Sequence, residues 1–141
     1  MNLDHIAIGV SDMEQSLRFY RDILGMVVIH DRNVCDDSIG KVIGVSGAKC
    51  RIVHLALENA FLELFEYYEP KGTNIARSLN QYDHAIIHFA FNVENFEETL
   101  LRLKENSVDF IADPIEFRPG IWCIYFRGPD GEICAIRHQQ K

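Results

Sequence analysis

A segment near the start of the chain recurs in the second half, and this repeat limits the folds that the chain can adopt. HIAIGVSDMEQSL, which begins at His5, returns as HFAFNVENFEETL, which begins at His88. His, Ala, Val, Glu and Leu are identical in the two copies, and most other positions keep their apolar or polar character. Internal repetition of this kind indicates a duplicated structural unit. We therefore expect two modules with the same architecture.

Alternating apolar residues predict that each copy opens with a strand, over 3–10 and over 84–93. Side chains of a strand alternate between its two faces, so burial of the apolar set leaves the other face to His5 and His88. The two histidines therefore occupy equivalent positions in the two modules. This equivalence is the first indication of function.

A helix is predicted to follow each strand. Asp12 and Asn95 suit the N-cap position, because their side chains accept hydrogen bonds from the free amides of the first helical turn. Apolar residues then recur every three or four positions, from 13 to 24 in the first copy and from 96 to about 106 in the second. Each helix thus has one apolar face with which it can cover its strand.

Further strands complete each module in the order βαβββ. They are predicted at 26–30, 51–57 and 60–67 in the first half and at 108–112, 121–127 and 132–138 in the second. Glu58-Asn59 predicts a two-residue hairpin turn, which would pair His54 with Glu63. The segments 31–49 and 114–120 are interrupted by glycine or proline, and we expect them to be irregular pocket walls, although 38–45 could form a short helix.

Composition excludes several kinds of partner. The chain has 141 residues, 48% of them hydrophobic, which suits one ordinary domain. Its net charge of −7 and pI near 5.3 argue against nucleic-acid binding. No apolar run approaches the roughly 20 residues that span a membrane, and the N-terminus lacks a signal segment. The four cysteines form no CxxC pair, which indicates reduced thiols and a cytoplasmic protein.

Two histidines and one carboxylate are the candidates for a metal site. Small residues share their faces with His5 and His88, which leaves room for an ion, and Glu63 is expected to face the same way. Imidazole nitrogen and carboxylate oxygen suit Fe, Mn, Zn, Ni or Co, and three protein ligands leave positions open for substrate. The alternatives are that each histidine is a surface or hydrogen-bonded residue, and that Glu63 is a polar position on a solvated strand.

Four segments of the chain together match the pattern of one superfamily. They are DHIAIGVSDMEQSLRFYRDILG (4–25), FLELFEY (61–67), HFAFNV (88–93) and FRGPDGEI (126–133). The chain resembles the vicinal oxygen chelate superfamily, which includes glyoxalase I, methylmalonyl-CoA epimerase, extradiol dioxygenases and bleomycin- or fosfomycin-resistance proteins. The resemblance implies an α+β fold in which two βαβββ modules, in pseudo-twofold arrangement, form a curved mixed sheet around a cavity. It implies a single domain over 1–141, with module 1 at 1–68, a linker at 69–83 and module 2 at 84–141.

The resemblance also implies where a metal ion would bind. Ligands in this superfamily lie on the first and last strands of each module, and the matching positions here are His5, Glu63 and His88. The usual fourth ligand is a glutamate in a segment like DPDGNLIEL. Here that segment is GPDGEICAI, so the position is occupied by Ala135. The remaining residues are the mirror-module counterpart of the set of two histidines and one carboxylate in extradiol dioxygenases.

Other residues are expected to line the same cavity. His54 is a candidate either to orient Glu63 or to act as a general base, and the alternative is that it fills a position usually taken by an apolar side chain. Tyr125 is a second candidate for proton transfer. Phe65, Cys123 and Arg137 are expected to contact substrate, with Arg137 positioned to bind an anionic group unless it is an ordinary surface arginine.

Two functions compete on this basis. The first is a metal-dependent enzyme that uses one divalent ion to chelate a small oxygenated molecule in a lyase, isomerase or dioxygenase step. The second is a metal-free protein that binds a small ligand or an antibiotic, as bleomycin-resistance proteins do, and in which Ala135 reflects loss of the metal site. Three intact ligand positions favour the enzyme. In either case the resemblance implies a homodimer and a small-molecule partner.

Overall fold

The chain divides structurally where the sequence predicts a linker. In the computed structural model, which describes residues 1–139, the chain forms two compact units, Met1–Asn74 and Ile75–Lys141. Their boundary lies inside the linker predicted over 69–83. That both units belong to one domain stays a prediction.

The first unit contains a mixed sheet and two helices. In chain order its elements are β1 (His5–Gly9), α1 (Met13–Leu17), β2 (Val28–Val34), α2 (Asp37–Ile43), β3 (Lys49–Ala56) and β4 (Phe61–Glu69). The strand order is β1-β4-β3-β2, with β1 parallel to β4 and the other neighbours antiparallel. Leu57 N–H donates to the carbonyl of Ala60 (3.0 Å), which confirms the predicted hairpin. The first and last strands of the unit are thus direct neighbours.

The first helix follows the cap that the sequence predicts. The carboxylate of Asp12 accepts a hydrogen bond from the backbone N–H of Gln15 (3.0 Å) and so satisfies one free amide of α1. After Leu17 the helix continues as a π-helix over Arg18–Ile23, in which Phe19 and Tyr20 are both buried. The predicted helix is therefore confirmed in extent, although its second half has the wider π geometry.

The second unit repeats this plan with one additional strand. Its elements are β5 (Phe89–Asn92), α3 (Phe96–Glu105), β6 (Asp109–Phe110), β7 (Ile115–Arg118), β8 (Ile121–Arg127) and β9 (Ile133–Gln139), preceded by a 3₁₀ turn at Ala76–Ser78. The main strand order is β5-β9-β8-β6, and β7 also pairs with β8. β5 is parallel to β9, as β1 is to β4, and the other pairs are antiparallel. The α+β class is confirmed.

Strand register is the same in the two parallel pairs. Ala7 of β1 lies opposite Glu63 of β4, and Ala90 of β5 lies opposite Ala135 of β9. Because Ala7 and Ala90 are equivalent in the repeat, Glu63 and Ala135 occupy equivalent positions as well. The position that carries an acid in the first unit carries a methyl group in the second.

The expectation that 114–120 is irregular is wrong, since Ile115–Arg118 forms β7. Gly120 has a φ of +74°, which glycine adopts without strain, and the chain reverses there into β8. The carboxylate of Glu116 accepts a hydrogen bond from Gly120 N–H (2.8 Å) and closes the turn. The strand is too short to show a clear alternation, and Pro114 just before it favours a loop.

β2 begins later and extends further than the strand predicted over 26–30. Arg51 of β3 donates to the carboxylate of Asp31 through Nε (2.9 Å) and Nη2 (2.8 Å), which ties β2 to its neighbour. This guanidinium also lowers the pKa of Asp31 below its usual value. The side chains of β2 beyond His30 are mostly polar and exposed, so the hydrophobic pattern ends before the strand does.

Apolar side chains are buried where strand alternation predicts. In the first unit Leu62 and Leu64 of β4 are fully buried, and helix α1 contacts this strand. In the second unit Ile124, Phe126 and Ile136 are buried, and helix α3 contacts β9. The residues that alternate with these along each strand point to the opposite face of the sheet, where they are available to form a binding site.

None of the helices within residues 1–139 is both long and apolar enough to cross a membrane.

Two leucines of α3 allow a test of the assigned core. Leu103 is 0% exposed and Leu101 is 56% exposed. We expect Leu103→Ala to lower the free energy of unfolding by about 2–5 kcal/mol, because it removes buried methyl groups and leaves a cavity. Leu101→Ala should change it by less than about 0.5 kcal/mol. Urea unfolding followed by circular dichroism measures both, and equal effects would contradict the assigned packing.

Candidate functional site

Glu63 lies at the centre of a polar cluster in the first unit. Its strand, β4, runs between β1 and β3, and its side chain is only 14% exposed. One carboxylate oxygen, Oε1, accepts a hydrogen bond from Nε2–H of His54 (2.8 Å). The other, Oε2, lies 3.5 Å from Nε2 of His5. The structure thus confirms the pairing of His54 with Glu63 and brings His5 to the same carboxylate.

The ring of His5 is oriented so that one nitrogen faces Glu63. Its Nδ1–H donates to the carboxylate of Asp4 (2.7 Å). A neutral imidazole carries a single N–H, so Nε2 presents a lone pair. A carboxylate oxygen also only accepts, so the 3.5 Å between Nε2 of His5 and Oε2 of Glu63 separates two acceptors. A cation between them would satisfy both.

An aromatic ring supports both histidines of this cluster. Phe61 stacks on His5 with ring centroids 5.0 Å apart and on His54 with centroids 4.5 Å apart, at interplanar angles of 23° and 27°. His30 of β2 packs on the other side of His54 (5.0 Å). Strand alternation places Phe61 on the face of Glu63, but nothing in the sequence indicates that it spaces the two imidazoles.

Phe65 lies on the same strand face as Glu63 but further along β4. Its ring is half-buried and stacks on Tyr67, with centroids 5.5 Å apart. Both rings pack against a cluster of buried residues, namely Val34, Ile39, Ala48, Cys50 and Ile52. Phe65 therefore has a packing role, and its contact with substrate stays a prediction.

His88 of the second unit is held in a similar way to His5. Its Nδ1–H donates to the amide oxygen Oε1 of Gln81 (3.0 Å), which leaves Nε2 with a lone pair in the neutral ring. The ring of Tyr125 meets His88 edge-on at a centroid distance of 5.0 Å. Gln81 lies in the predicted linker, where no periodicity marks it, and sequence reasoning missed it.

Two predicted substrate contacts, Cys123 and Arg137, and the predicted proton-transfer residue Tyr125 lie along one face of β8 and β9. Tyr125 is opposite Ala135, and Cys123 is opposite Arg137. Burial raises the pKa of the Cys123 thiol, although the positive charge of Arg137 partly opposes this. The guanidinium of Arg137 lies 5.7 Å from the ring centroid of Phe117. The structure thus brings these four strand residues together, as strand alternation predicts.

A groove of about 580 Å³ opens on the second unit beside these residues. Its lining consists of Ala90, Phe91, Asn92, Arg137 and Gln139. Arg137 is thus placed in a groove as well as on the predicted face. Its contact with substrate stays a prediction.

The donor chemistry of the candidate ligands fits a divalent metal ion. Each of His5 and His88 has its Nδ1–H bound to a side-chain oxygen, an arrangement that fixes Nε2 as the ligating atom in metal-binding histidines. Glu63 keeps one oxygen toward His5 while His54 holds the other. Within residues 1–139, however, no three His, Cys, Asp or Glu side chains are arranged to hold a metal ion.

Comparison with known proteins identifies the family of the chain. A family model described as the Glyoxalase/Bleomycin resistance protein/Dioxygenase superfamily matches residues 2–134. A metallothiol transferase FosB from Staphylococcus epidermidis is 30% identical over 129 residues, which cover 92% of this chain and 77% of that protein.

Solved structures share the fold over nearly the whole chain. A glyoxalase family protein from Bacillus cereus superposes with a TM-score of 0.91 at 17% identity, covering 100% of this chain and 95% of that one. A glyoxalase/dioxygenase from Nostoc punctiforme superposes with a TM-score of 0.67 at 25% identity, covering 97% and 90%. The predicted fold class is thereby confirmed.

The thiols allow a test of the assigned environments. Cys35 is exposed, Cys50 and Cys134 are buried, and burial raises the pKa of Cys50 and Cys123. Iodoacetamide at neutral pH should therefore alkylate Cys35 about 10-fold faster than Cys123, because the thiolate is the reactive form. A mass-spectrometric time course measures this, and Cys35→Ser should remove the fast phase. Equal rates for Cys35 and Cys123 would contradict the assigned environments.

Proposed function

The chain belongs to the Glyoxalase/Bleomycin resistance protein/Dioxygenase superfamily, and on that premise we propose that it is a metal-dependent enzyme acting on a small oxygenated molecule. His5, Glu63 and His88 would hold one divalent ion, with Fe, Mn, Zn, Ni and Co as the candidates. Membership supports a metal-dependent enzyme in the broad sense and does not indicate a particular reaction. The superfamily's small-molecule substrates and frequent dimers support the predicted partner and the predicted homodimer.

One observation carries the proposal. Nε2 of His5 and Oε2 of Glu63 face each other at 3.5 Å while their other polar atoms are already bound to Asp4 and His54. Two acceptors directed at one point are stabilised by a positive charge between them, which either a metal ion or a proton on Nε2 of His5 supplies. The proposal takes that charge to be a divalent ion, because His88 offers a third donor of the same kind.

The bound ion would hold two neighbouring oxygens of a substrate and stabilise negative charge that develops on them. Around it, His54 would keep Glu63 oriented through the 2.8 Å hydrogen bond, which supports an orienting role over a free general base. Phe61 would keep the two imidazole rings apart. Tyr125, in edge-on contact with His88, is then the candidate for moving a proton.

The reaction class is a lyase, isomerase or dioxygenase step. The relative from Staphylococcus epidermidis is named a metallothiol transferase, which adds thiol transfer as a further reaction class. Ala135 bears on this choice, because it removes the carboxylate that a ligand-position acid would supply for moving a proton. The proposal therefore favours chemistry that depends on chelation over isomerisation by a carboxylate base.

Ala135 also supports the second candidate, a metal-free protein that binds a small ligand or an antibiotic. The equivalent position in the first unit carries Glu63, so one unit has kept an acid and the other has a methyl group. Loss of a ligand is expected where metal binding is no longer needed. The metal content of the purified protein distinguishes the metal-dependent enzyme from the metal-free binding protein.

Metal content should depend on the three candidate ligands. Protein purified without chelators and without a histidine tag should contain about one equivalent of divalent metal by elemental mass spectrometry, as a single three-ligand site requires. His5→Ala, Glu63→Ala and His88→Ala should each lose most of it, whereas His84→Ala, which changes an exposed histidine, should retain it. Wild-type protein that stays metal-free after expression in metal-supplemented medium would support the binding protein instead.

His54 should affect metal affinity without being a ligand. His54→Phe removes the hydrogen bond to Oε1 of Glu63, and we expect the dissociation constant for Co²⁺ to rise by about 10–100-fold. His54→Gln restores an N–H donor and should recover part of the affinity. His30→Gln, which changes the other face of the same stack, serves as the control. The visible absorption of Co²⁺ during titration reports binding, and wild-type affinity in His54→Phe would rule out the orienting role.

A further inference from the structure

The groove on the second unit is lined by hydrogen-bond donors and contains no acidic side chain. Arg137 lies directly opposite Asn92 across β9 and β5, and Gln139 follows two residues later on the same face. The other lining residues, Ala90 and Phe91, are apolar. In a chain with a net charge of −7, a groove whose polar groups are one guanidinium and two amides is suited to an anion.

The guanidinium of Arg137 is not neutralised by the described part of the chain. The ion pairs that lysine and arginine make within residues 1–139 involve Arg21, Lys49 and Arg51, and Arg137 takes part in none of them. Its neighbour across the strand pair, Cys123, bears no negative charge at neutral pH, because burial raises the pKa of that thiol. The positive charge of Arg137 is therefore open to a ligand.

The guanidinium is also held in place. Its central carbon lies 5.7 Å from the ring centroid of Phe117, a distance at which the ring face attracts a cation. A planar guanidinium supported in this way loses less freedom when it binds two oxygens of one ligand. Phe117 belongs to β7, the strand that the sequence did not reveal.

Ala135, the residue equivalent to the candidate ligand Glu63, lies on the same strand as Arg137. It lies two residues before Arg137 on the same face of β9 and opposite Ala90, which lines the groove. A glutamate at this position, as at the equivalent Glu63, would offer Arg137 a carboxylate and would repel an anionic ligand. The methyl group of Ala135, which is 2% exposed, instead brings no negative charge near Arg137. The residue that removes a metal ligand thus also leaves the guanidinium without a carboxylate from this position.

We propose that this groove binds the anionic group of the substrate, a carboxylate or a phosphonate, with Arg137 and Asn92 as donors. The identification of the ligand as substrate rests on the function proposed above, whereas the anion site itself does not require metal. The substrate is then a small molecule that carries an oxyanion, and this oxyanion contacts β9 of the second unit. Carboxylate and phosphonate present the same oxygen pair to a guanidinium.

Matched small probes test the site in metal-free protein. Lactate and 1,2-propanediol share a carbon skeleton and differ in the carboxylate, and methylphosphonate supplies the other anion. In NMR titrations at low ionic strength, where screening is weak, lactate or methylphosphonate should shift the side-chain N–H signals of Arg137 and Asn92, and 1,2-propanediol should not. The anion that binds more tightly identifies the substrate's group. Equal shifts with lactate and 1,2-propanediol, or none with either anion, would overturn the proposal.

Variants of Arg137 and Ala135 distinguish the effect of charge on anion binding from the effect of side-chain shape. Arg137→Gln should weaken anion binding about 10-fold or more, as expected for loss of a charge-assisted pair, and Arg137→Lys should recover part of it. Ala135→Glu should weaken it to a similar degree with Arg137 intact, while the isosteric Ala135→Gln should weaken it less. Arg118→Gln is the control, because Arg118 also contacts Phe117 but does not line the groove. Unchanged binding in Arg137→Gln would overturn the proposal even if the variants at Ala135 fail to fold.

Failure of the anion-binding proposal can be distinguished from failure of the proposed metal-dependent function. Anion binding that depends on Arg137, in a chain that takes up no metal, would uphold the groove and contradict the enzyme. Metal binding by His5, Glu63 and His88 in a chain whose Arg137 variant still binds the anions would uphold the enzyme and overturn the groove.

Discussion

In each unit the first and last strands pair in parallel, and this pairing positions the residues of the candidate sites. These strands are far apart in the sequence, yet β1 lies beside β4 and β5 beside β9 in the same register. This register sets His5 beside Phe61 and Ala7 beside Glu63, so that an imidazole and a carboxylate meet on one face. A shift of one residue would turn Glu63 into the core and Leu62 or Leu64 out of it. Burial of those leucines therefore holds the polar cluster in place.

The two copies have diverged in charge while keeping their backbone. In the first unit the face carries Glu63 with His5 and His54, an acceptor-rich cluster suited to a cation. In the second unit Ala135 takes the equivalent position and Arg137 follows it, which makes the corresponding face suited to an anion. Duplication thus supplied one scaffold, and differences at two pairs of equivalent positions, Glu63 and Ala135 and then Phe65 and Arg137, changed the charge of this face.

Local patterns in the sequence were sufficient for most of the elements, for the strand faces and for the pairing of His54 with Glu63, because alternation, capping and a two-residue turn are short-range signals. Contacts between polar side chains were not predictable. No pattern marks Asp4 or Gln81 as the residues that orient the two histidines, and β2 extends through residues with no apolar alternation. The support of Arg137 by Phe117 depends on the short strand β7, which shows no alternation of its own. Such contacts arise from tertiary geometry, which a single sequence does not encode locally.

Anomalous diffraction from crystals grown with Co²⁺ tests the proposed metal centre most directly. The proposal predicts one strong peak at about 2.0–2.2 Å from Nε2 of His5, from Oε2 of Glu63 and from Nε2 of His88, distances typical of nitrogen and oxygen ligands. His54 should remain bound to Oε1 of Glu63 and stay outside the coordination shell. A crystal that contains Co²⁺ but shows no peak beside Glu63, or a peak held by other side chains, would contradict the proposed centre.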